Sequence, residues 1–284
     1  SVFACSFFLF LSSENLKKNY KVFLLFFLFL LVLVVIPDIG KTVNNSTRWL
    51  SYGGLNIQPS EFFKLFYVIW LCAYLDYNKK NIHRFEIFII PILCFFISAI
   101  LLLKQPDFGS TAVIFLMTFV MMFIARAKIL HLMTLFFSGA IGASILIYLS
   151  PERLSRFNLI EPCSDYLGDG YHLCWSLMAI GSGGIFGKGL GASTTKLSYL
   201  YGAHTDFIFA ILAEELGIFG VVFTIILFYL FIKKCFFVGD KALRVGLIFQ
   251  GYLSYSIGIF ISLQAFLSMA VTLGIAPTKG LAMP

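Results

Sequence analysis

Long apolar blocks dominate the chain, and short polar links punctuate them. Val22 to Ile36 is one such run, and others cover about 60–75, 85–103, 111–124, 130–149, 206–231 and 245–273. Several approach the roughly 20 residues a helix needs to cross a bilayer. A helix also satisfies its own backbone hydrogen bonds where no water is present. The pattern predicts an all-α, polytopic transmembrane helical bundle, read as a single membrane domain over 1–284. "SVFACSFFLFL" is half of a spanning segment and "KGLAMP" directly follows another, so the bundle is expected to be truncated at both ends.

The polar links sort by charge. Lys17, Lys18 and Lys21 occupy one, Lys79, Lys80 and Arg84 the next but one, and Arg126 and Lys128 a third. "KKCFFVGDKALR", expected to be a basic turn, adds Lys233, Lys234, Lys241 and Arg244. Alternating crossings place all of these on one side, which the positive-inside rule makes cytoplasmic. Residues 38–59, 104–110, 150–205 and 275–284 then face outward, the first as a turn-rich outer loop and 150–205 as the large outer, catalytic-region loop.

Composition agrees. Charged residues are 12% of the chain, about half the share usual in soluble domains, and mean hydropathy is +0.92. The 34 phenylalanines read as a bias at lipid-facing positions rather than as ligand cages. Of the six cysteines, none has metal-site spacing; Cys5, Cys72, Cys94 and Cys235 fit as small buried hydrophobes. Cys163 and Cys174 share a polar loop and can pair if it faces an oxidising compartment. The outer segments also hold Arg48, Arg153, Arg156, Lys188, Lys196 and Lys279, which topology does not explain. They are either solvated beside acids such as Glu152 and Asp165, or they form a surface for an anionic headgroup or pyrophosphate. Nucleic acid would be on the wrong face.

Four stretches carry candidate chemistry. "AIGSGGIFGKGLG", Ala179 to Gly191, has six glycines around Lys188. It suits either a phosphate cradle or a tight re-entrant turn packed in protein, and it lacks the pattern of a nucleotide P-loop. In "RWLSYGGLNIQPSEFFKL", Pro59 and Ser60 begin a helix and Glu61 faces its dipole, with Arg48 placed to pair with Glu61 or bind a ligand. In "KQPDFGST", Asp107 caps the following helix or contacts substrate. "YGAHTDFIFAILAEELG" sets Asp206 at the mouth of an apolar segment, where a carboxylate is expensive. Glu214 lies about 80° around and roughly 12 Å along a helix from it, so the two are not a close catalytic pair. Asp206 is either an N-terminal cap or a general base kept partly out of water.

"IQPSEFFKL", "QPDFGST", "IGSGGIFGKGLG", "AHTDFIFAILAEELG" and "GIAPTKGLAMP" together resemble the SEDS membrane glycosyltransferases that polymerise bacterial peptidoglycan. The likeness covers essentially the whole chain and leans to the cell-division branch. It implies a ten-helix fold of which this sequence lacks the first helix, part of the second and the last. It implies that Asp206, the acidic residue of the "HTDF" motif, is the catalytic residue, acting as general base. Arg48, Glu61, Lys64, Asp107, Lys188, His204, Thr205 and Lys279 are the implied substrate-binding residues, with Glu214 carried over beside them; Arg153 and Lys196 join the substrate-binding set as cations of the outer segment. His172 and Trp175 stand where relatives commonly have glutamines. Ser268 and Thr272 stand where asparagines are common, and Ala270 where glycine is usual; specialised or reduced activity is therefore in play.

The resemblance implies inverting β-1,4 glycosyl transfer from lipid II to a lipid-linked glycan at the outer face of the bacterial inner membrane, at the division septum. A retaining course would ordinarily need a second carboxylate, for which Asp107 is the candidate. No cofactor is assigned; the candidate is a divalent cation assisting the diphosphate, and no ligand cluster in the sequence identifies it. Expected partners are a class B penicillin-binding transpeptidase and other divisome membrane proteins. The alternatives are a flippase for lipid-linked precursor and a division scaffold whose site has decayed.

Overall fold

The computed structural model describes residues 12–36, 40–43, 46–52, 55–148, 163, 170–198 and 206–276. Two compact units are present: Ser1–Thr134 with Cys235–Ile257, and Leu135–Lys234 with Gly258–Pro284. Helices dominate both, and Phe85–Lys104, Ile208–Arg244 and Ile248–Thr272 are long and apolar enough to cross a membrane. The chain is a multi-pass membrane protein.

In the first unit, α1 (Ser13–Lys18) and α2 (Tyr20–Val35) lead to a small antiparallel sheet of β1 (Gly40–Val43), β2 (Ser46–Tyr52) and β3 (Leu55–Ile57), ordered β1-β2-β3. The segment expected as a turn-rich loop is thus a paired structure, with Lys41 opposite Trp49 and Leu50 opposite Ile57. Its strands are rich in Thr, Val, Trp, Tyr and Ile, which favour a pleated backbone. Next come α3 (Pro59–Tyr77), α4 (Phe85–Lys104) and α5 (Phe108–Ile124). α3 is the hub: Phe63, Tyr67, Leu71 and Leu75 are essentially inaccessible. Phe27 of α2 stacks on Phe66 at 4.1 Å. Leu25, Phe26 and Phe29 on α2 stay exposed, as a lipid-facing stripe requires.

One repair shows why α3 and α4 fit. Pro91 lies inside α4 and lacks the N–H that would bond to the carbonyl four residues back. The Tyr74 hydroxyl donates to that carbonyl, Ile87 O, at 2.8 Å. An orphan acceptor inside a bilayer helix is thereby satisfied from the neighbouring helix.

The remaining elements are α6 (Ile129–Tyr148), α7 (Tyr171–Gly183), the short α8 (Thr195–Ser198), α9 (Ile208–Arg244) and α10 (Ile248–Thr272). The 150–205 segment, expected to face outward, therefore carries α7 and α8. The basic stretch 233–244, expected as a turn, is helical. The helical path breaks instead at Gly217, with φ 65° and ψ −161°. Leu and Ile do not adopt that conformation readily, whereas glycine does. In the second unit, Ser176 on α7 donates to Thr272 O of α10 at 2.9 Å. Cys163 and Cys174 form a disulfide.

Candidate functional site

Functional candidates in the first unit gather at two helix starts. Arg48, on β2, donates from Nε to Gln105 O at 3.1 Å and from Nη2 to Pro106 O at 2.5 Å. The ion pair drawn between Arg48 and Glu61 from sequence is not formed. Glu61 instead receives Lys64 Nζ at 2.8 Å across one helical turn, with Lys64 buried and Glu61 half exposed. The physical reason is the sheet, which aims Arg48 at the α4–α5 junction, where chain reversal leaves carbonyls without helical partners. The buried Gln105 amide ties that junction to Leu31 O at 3.0 Å. Asp107 caps α5 by accepting from Ser110 N at 3.1 Å, and is itself buried.

In the second unit, the glycine-rich stretch lies along the first turns of α9. Lys188 N donates to Glu214 O and Gly189 N to Glu215 O, each at 3.0 Å. These two amides are engaged by protein, as the reading of the stretch as a packed turn expects. A Cβ at Gly187 would lie 2.1 Å from Glu215 O, and one at Gly217 would lie 2.4 Å from Gly187 N. Both positions also have positive φ, so only glycine lets the two backbones approach this closely.

Side chains reinforce the same seam. Glu214 has no exposed surface. Its carboxylate accepts from Lys188 Nζ at 2.8 Å, Ser193 Oγ at 2.6 Å and Thr194 Oγ1 at 3.2 Å, and from Thr195 Oγ1. Lys196 pairs with Glu215 at 2.5 Å. Lys188 and Lys196, expected to bind substrate, are thus each brought to a glutamate. Ser193, Thr194 and Thr195 were not singled out from sequence. Three consecutive hydroxyls just after a glycine-rich turn were the available signal.

Asp206 sits half-buried in the turn before α9. The first helical bonds close on Phe207 O, from Ala210 N at 3.0 Å and Ile211 N at 3.3 Å, which puts Asp206 one residue ahead of the capping position. Phe207 and Ile211 pack with Trp175, and the His172 ring lies 6.1 Å from that of Phe207. His172 and Trp175, both on α7, therefore back the residue next to Asp206. Burial lowers the pKa of His172, favouring the neutral ring. Arg153, His204, Thr205 and Lys279 lie outside the described residues. Among the described residues, no group of three or more His, Cys, Asp or Glu side chains forms a metal-binding cluster.

Comparison with known proteins adds identity to this geometry. Residues 1–284 match the family model for FtsW, RodA and SpoVE, described as "Cell cycle protein". Over 275 residues the chain is 42% identical to the probable peptidoglycan glycosyltransferase FtsW of Thioalkalivibrio sulfidiphilus, covering 96% of this chain and 67% of that one. The corresponding protein of Nitrosococcus halophilus is 42% identical over 253 residues, covering 89% and 65%. The chain spans about two-thirds of the length of these curated relatives. Among solved structures, it is similar to a chain of a peptidoglycan synthase complex that coordinates polymerization and crosslinking, with TM-score 0.78 and 26% identity over 97% of this chain and 76% of that one. It is also similar to the rod shape determining protein RodA of Thermus thermophilus, with TM-score 0.68 and 25% identity over 97% and 73%.

Proposed function

The chain belongs to the FtsW, RodA and SpoVE family of cell cycle proteins, and on that premise we propose that it polymerises lipid II by inverting glycosyl transfer during bacterial division. The observation that carries this is the setting of Asp206. The carboxylate stands half-buried at the head of a helix whose first turns are clamped by Lys188–Glu214 and Lys196–Glu215. A base so held needs little reorganisation before proton transfer.

In the proposed reaction, the 4-hydroxyl of a GlcNAc on the acceptor attacks the anomeric carbon of the donor MurNAc. The bond from that carbon to the undecaprenyl pyrophosphate oxygen breaks from the opposite face. Asp206 takes the hydroxyl proton, and the pyrophosphate departs with the bonding electrons. Lys188 and Lys196 act here by fixing the seam against α9, since each already neutralises a glutamate. Arg153 and Lys279 are the cations assigned to the departing diphosphate. Arg48 holds the α4–α5 junction, with Lys64, Glu61 and Asp107 organising helix starts beside it. His204 and Thr205 are assigned to substrate contact.

The outward face of the 150–205 segment is supported by the Cys163–Cys174 disulfide, a bond favoured in oxidising compartments. A crosslinking transpeptidase partner is supported by the likeness to a chain of a peptidoglycan synthase complex, and septal placement is part of the proposed role in division.

The test is reconstitution of the full-length protein with its transpeptidase and fluorescent lipid II, following glycan products and lipid transfer separately. Asp206→Asn should cut polymerisation by about 10²–10⁴-fold while folding and lipid binding persist. Unchanged product formation rejects the base. Movement of labelled lipid II across vesicles without glycan would identify a transporter instead. An inactive wild type that still supports division would identify a scaffold.

A further inference from the structure

At the end of the first unit that carries the basic links lies a cavity of about 510 Å³, lined by Lys79, His83, Arg126, Leu243, Tyr252 and Tyr255 among others. Three places in the sequence build it: the link after α3, the turn after α5, and the junction of α9 with α10. Nothing in the proposed glycosyl transfer uses it.

The turn after α5 is unusual. Arg126 N donates to Phe123 O at 3.0 Å and Ala127 N to Met122 O at 3.1 Å. This is a Schellman closure, whose penultimate position is ordinarily glycine because it needs a left-handed backbone. α9 ends by the same pair of bonds, Gly246 N to Leu243 O and Leu247 N to Ala242 O, with glycine there at φ 85°. α5 instead places arginine at φ 61°. A large side chain held in that region marks a position where strain is tolerated for another gain, and this side chain lines the cavity.

The charge balance points the same way. Asp76, on the helix leading to Lys79, is paired with Lys17 at 2.5 Å. Asp240 accepts from the Tyr255 hydroxyl. Among the described residues, neither Lys79 nor Arg126 has an ion-pair partner within 4.0 Å. The cavity therefore keeps two cations, an imidazole and a phenol, with Ile124 and Leu243 supplying apolar wall. Nearby, Lys17 lies 5.0 Å from the centre of the Tyr77 ring, itself 5.6 Å from Tyr20; tyrosines of this kind mark the headgroup level of a bilayer.

We propose that this cavity binds the phosphate of an anionic phospholipid on the cytoplasmic leaflet, with Lys79 and Arg126 as the charged donors. Positive pockets between helices on that side attract such headgroups, and the positive-inside pattern places these links there. The site is independent of Asp206, so its failure would leave the proposed polymerase activity untouched.

The test follows the thermal midpoint of the detergent-purified full-length protein. Dioctanoyl phosphatidylglycerol, dioctanoyl phosphatidylcholine and inorganic phosphate are titrated separately. Phosphatidylglycerol should raise the midpoint saturably and phosphatidylcholine should not. Lys79→Gln with Arg126→Gly should raise the half-saturating concentration about 25-fold, from about fivefold per cation. Arg126→Gly installs the residue the turn prefers, so the unliganded midpoint should hold or rise, which separates lost binding from misfolding. Equal responses to the two lipids, or an unaltered response in the double variant, would overturn the proposal. Inorganic phosphate saturating at the same concentration as phosphatidylglycerol would overturn the lipid assignment in favour of free phosphate.

Discussion

Arg48 in the first unit and Glu214 in the second are both charges drawn partly or wholly out of water, yet they are satisfied by different means. Arg48 donates to two neutral carbonyls at a chain reversal. Glu214, itself without solvent access, accepts from a lysine and four hydroxyls, those of Ser182, Ser193, Thr194 and Thr195. Removing an arginine of the first kind leaves carbonyls that water or a shifted side chain can serve. Removing the glutamate leaves a lysine without its counter-charge and several hydroxyls with only one another to accept their protons. The second arrangement is the more brittle, because a half-satisfied polar network is worse than an apolar one.

The sharpest way to break that contrast is Glu214→Ala. It should destabilise the protein by about 3–5 kcal/mol, read as a fall in thermal midpoint or in monodisperse yield, with Glu214→Gln intermediate. A loss no larger than that of Arg48→Met would show that the two charges are equivalent. Next in size is Gly187→Ala. Its added methyl meets Glu215 O at a position of positive φ, and about 2–3 kcal/mol should be lost; a stable variant would show that the seam is not tightly packed. Arg48→Met should cost about 1–2 kcal/mol through its charge-assisted hydrogen bonds. A variant of unaltered stability that fails to bind lipid II would instead return Arg48 to the substrate site. The smallest effect concerns pH. His172 is held below its ordinary pKa by burial, so the unfolded chain takes the proton first. Stability should fall as pH drops through about 6.5, the unfolded value, and level off below the folded one. His172→Gln should flatten that slope in midpoints measured from pH 7.5 to 5.

Much of the helical frame could be read directly. α3 to α6 begin and end within a few residues of the sequence expectation, because long apolar runs with polar ends leave little choice of element. Asp107 was legible as a cap for the same local reason. The small sheet was not: its strands are short, and "NN" and "GG" with serines and threonines dominate the pattern. The continuation of α9 through 233–244 was hidden by charge, which marks the exit from a bilayer but does not end a helix. The break at Gly217 was hidden by the apolar run around it. At the site, the glutamates and lysines were visible as residues but not as partners. Their pairing depends on a glycine-rich backbone folding against α9, a contact that spacing alone does not encode.

The break at Gly217 separates two mechanical regimes. Ahead of it, Phe209, Ala210, Ala213 and Glu214 are buried; beyond it, Ile218, Phe219, Val222, Phe223 and Ile226 are exposed apolar surface. A bilayer that thickens or thins tilts a hydrophobic rod to match. That torque reaches a residue pinned to the glycine-rich stretch, because just beyond it Ile218 N donates to Gly184 O at 3.1 Å and Phe219 N to Ile185 O at 3.3 Å. Load on the exposed segment is thereby shared with that stretch instead of passing only along the helix towards the carboxylate at its head.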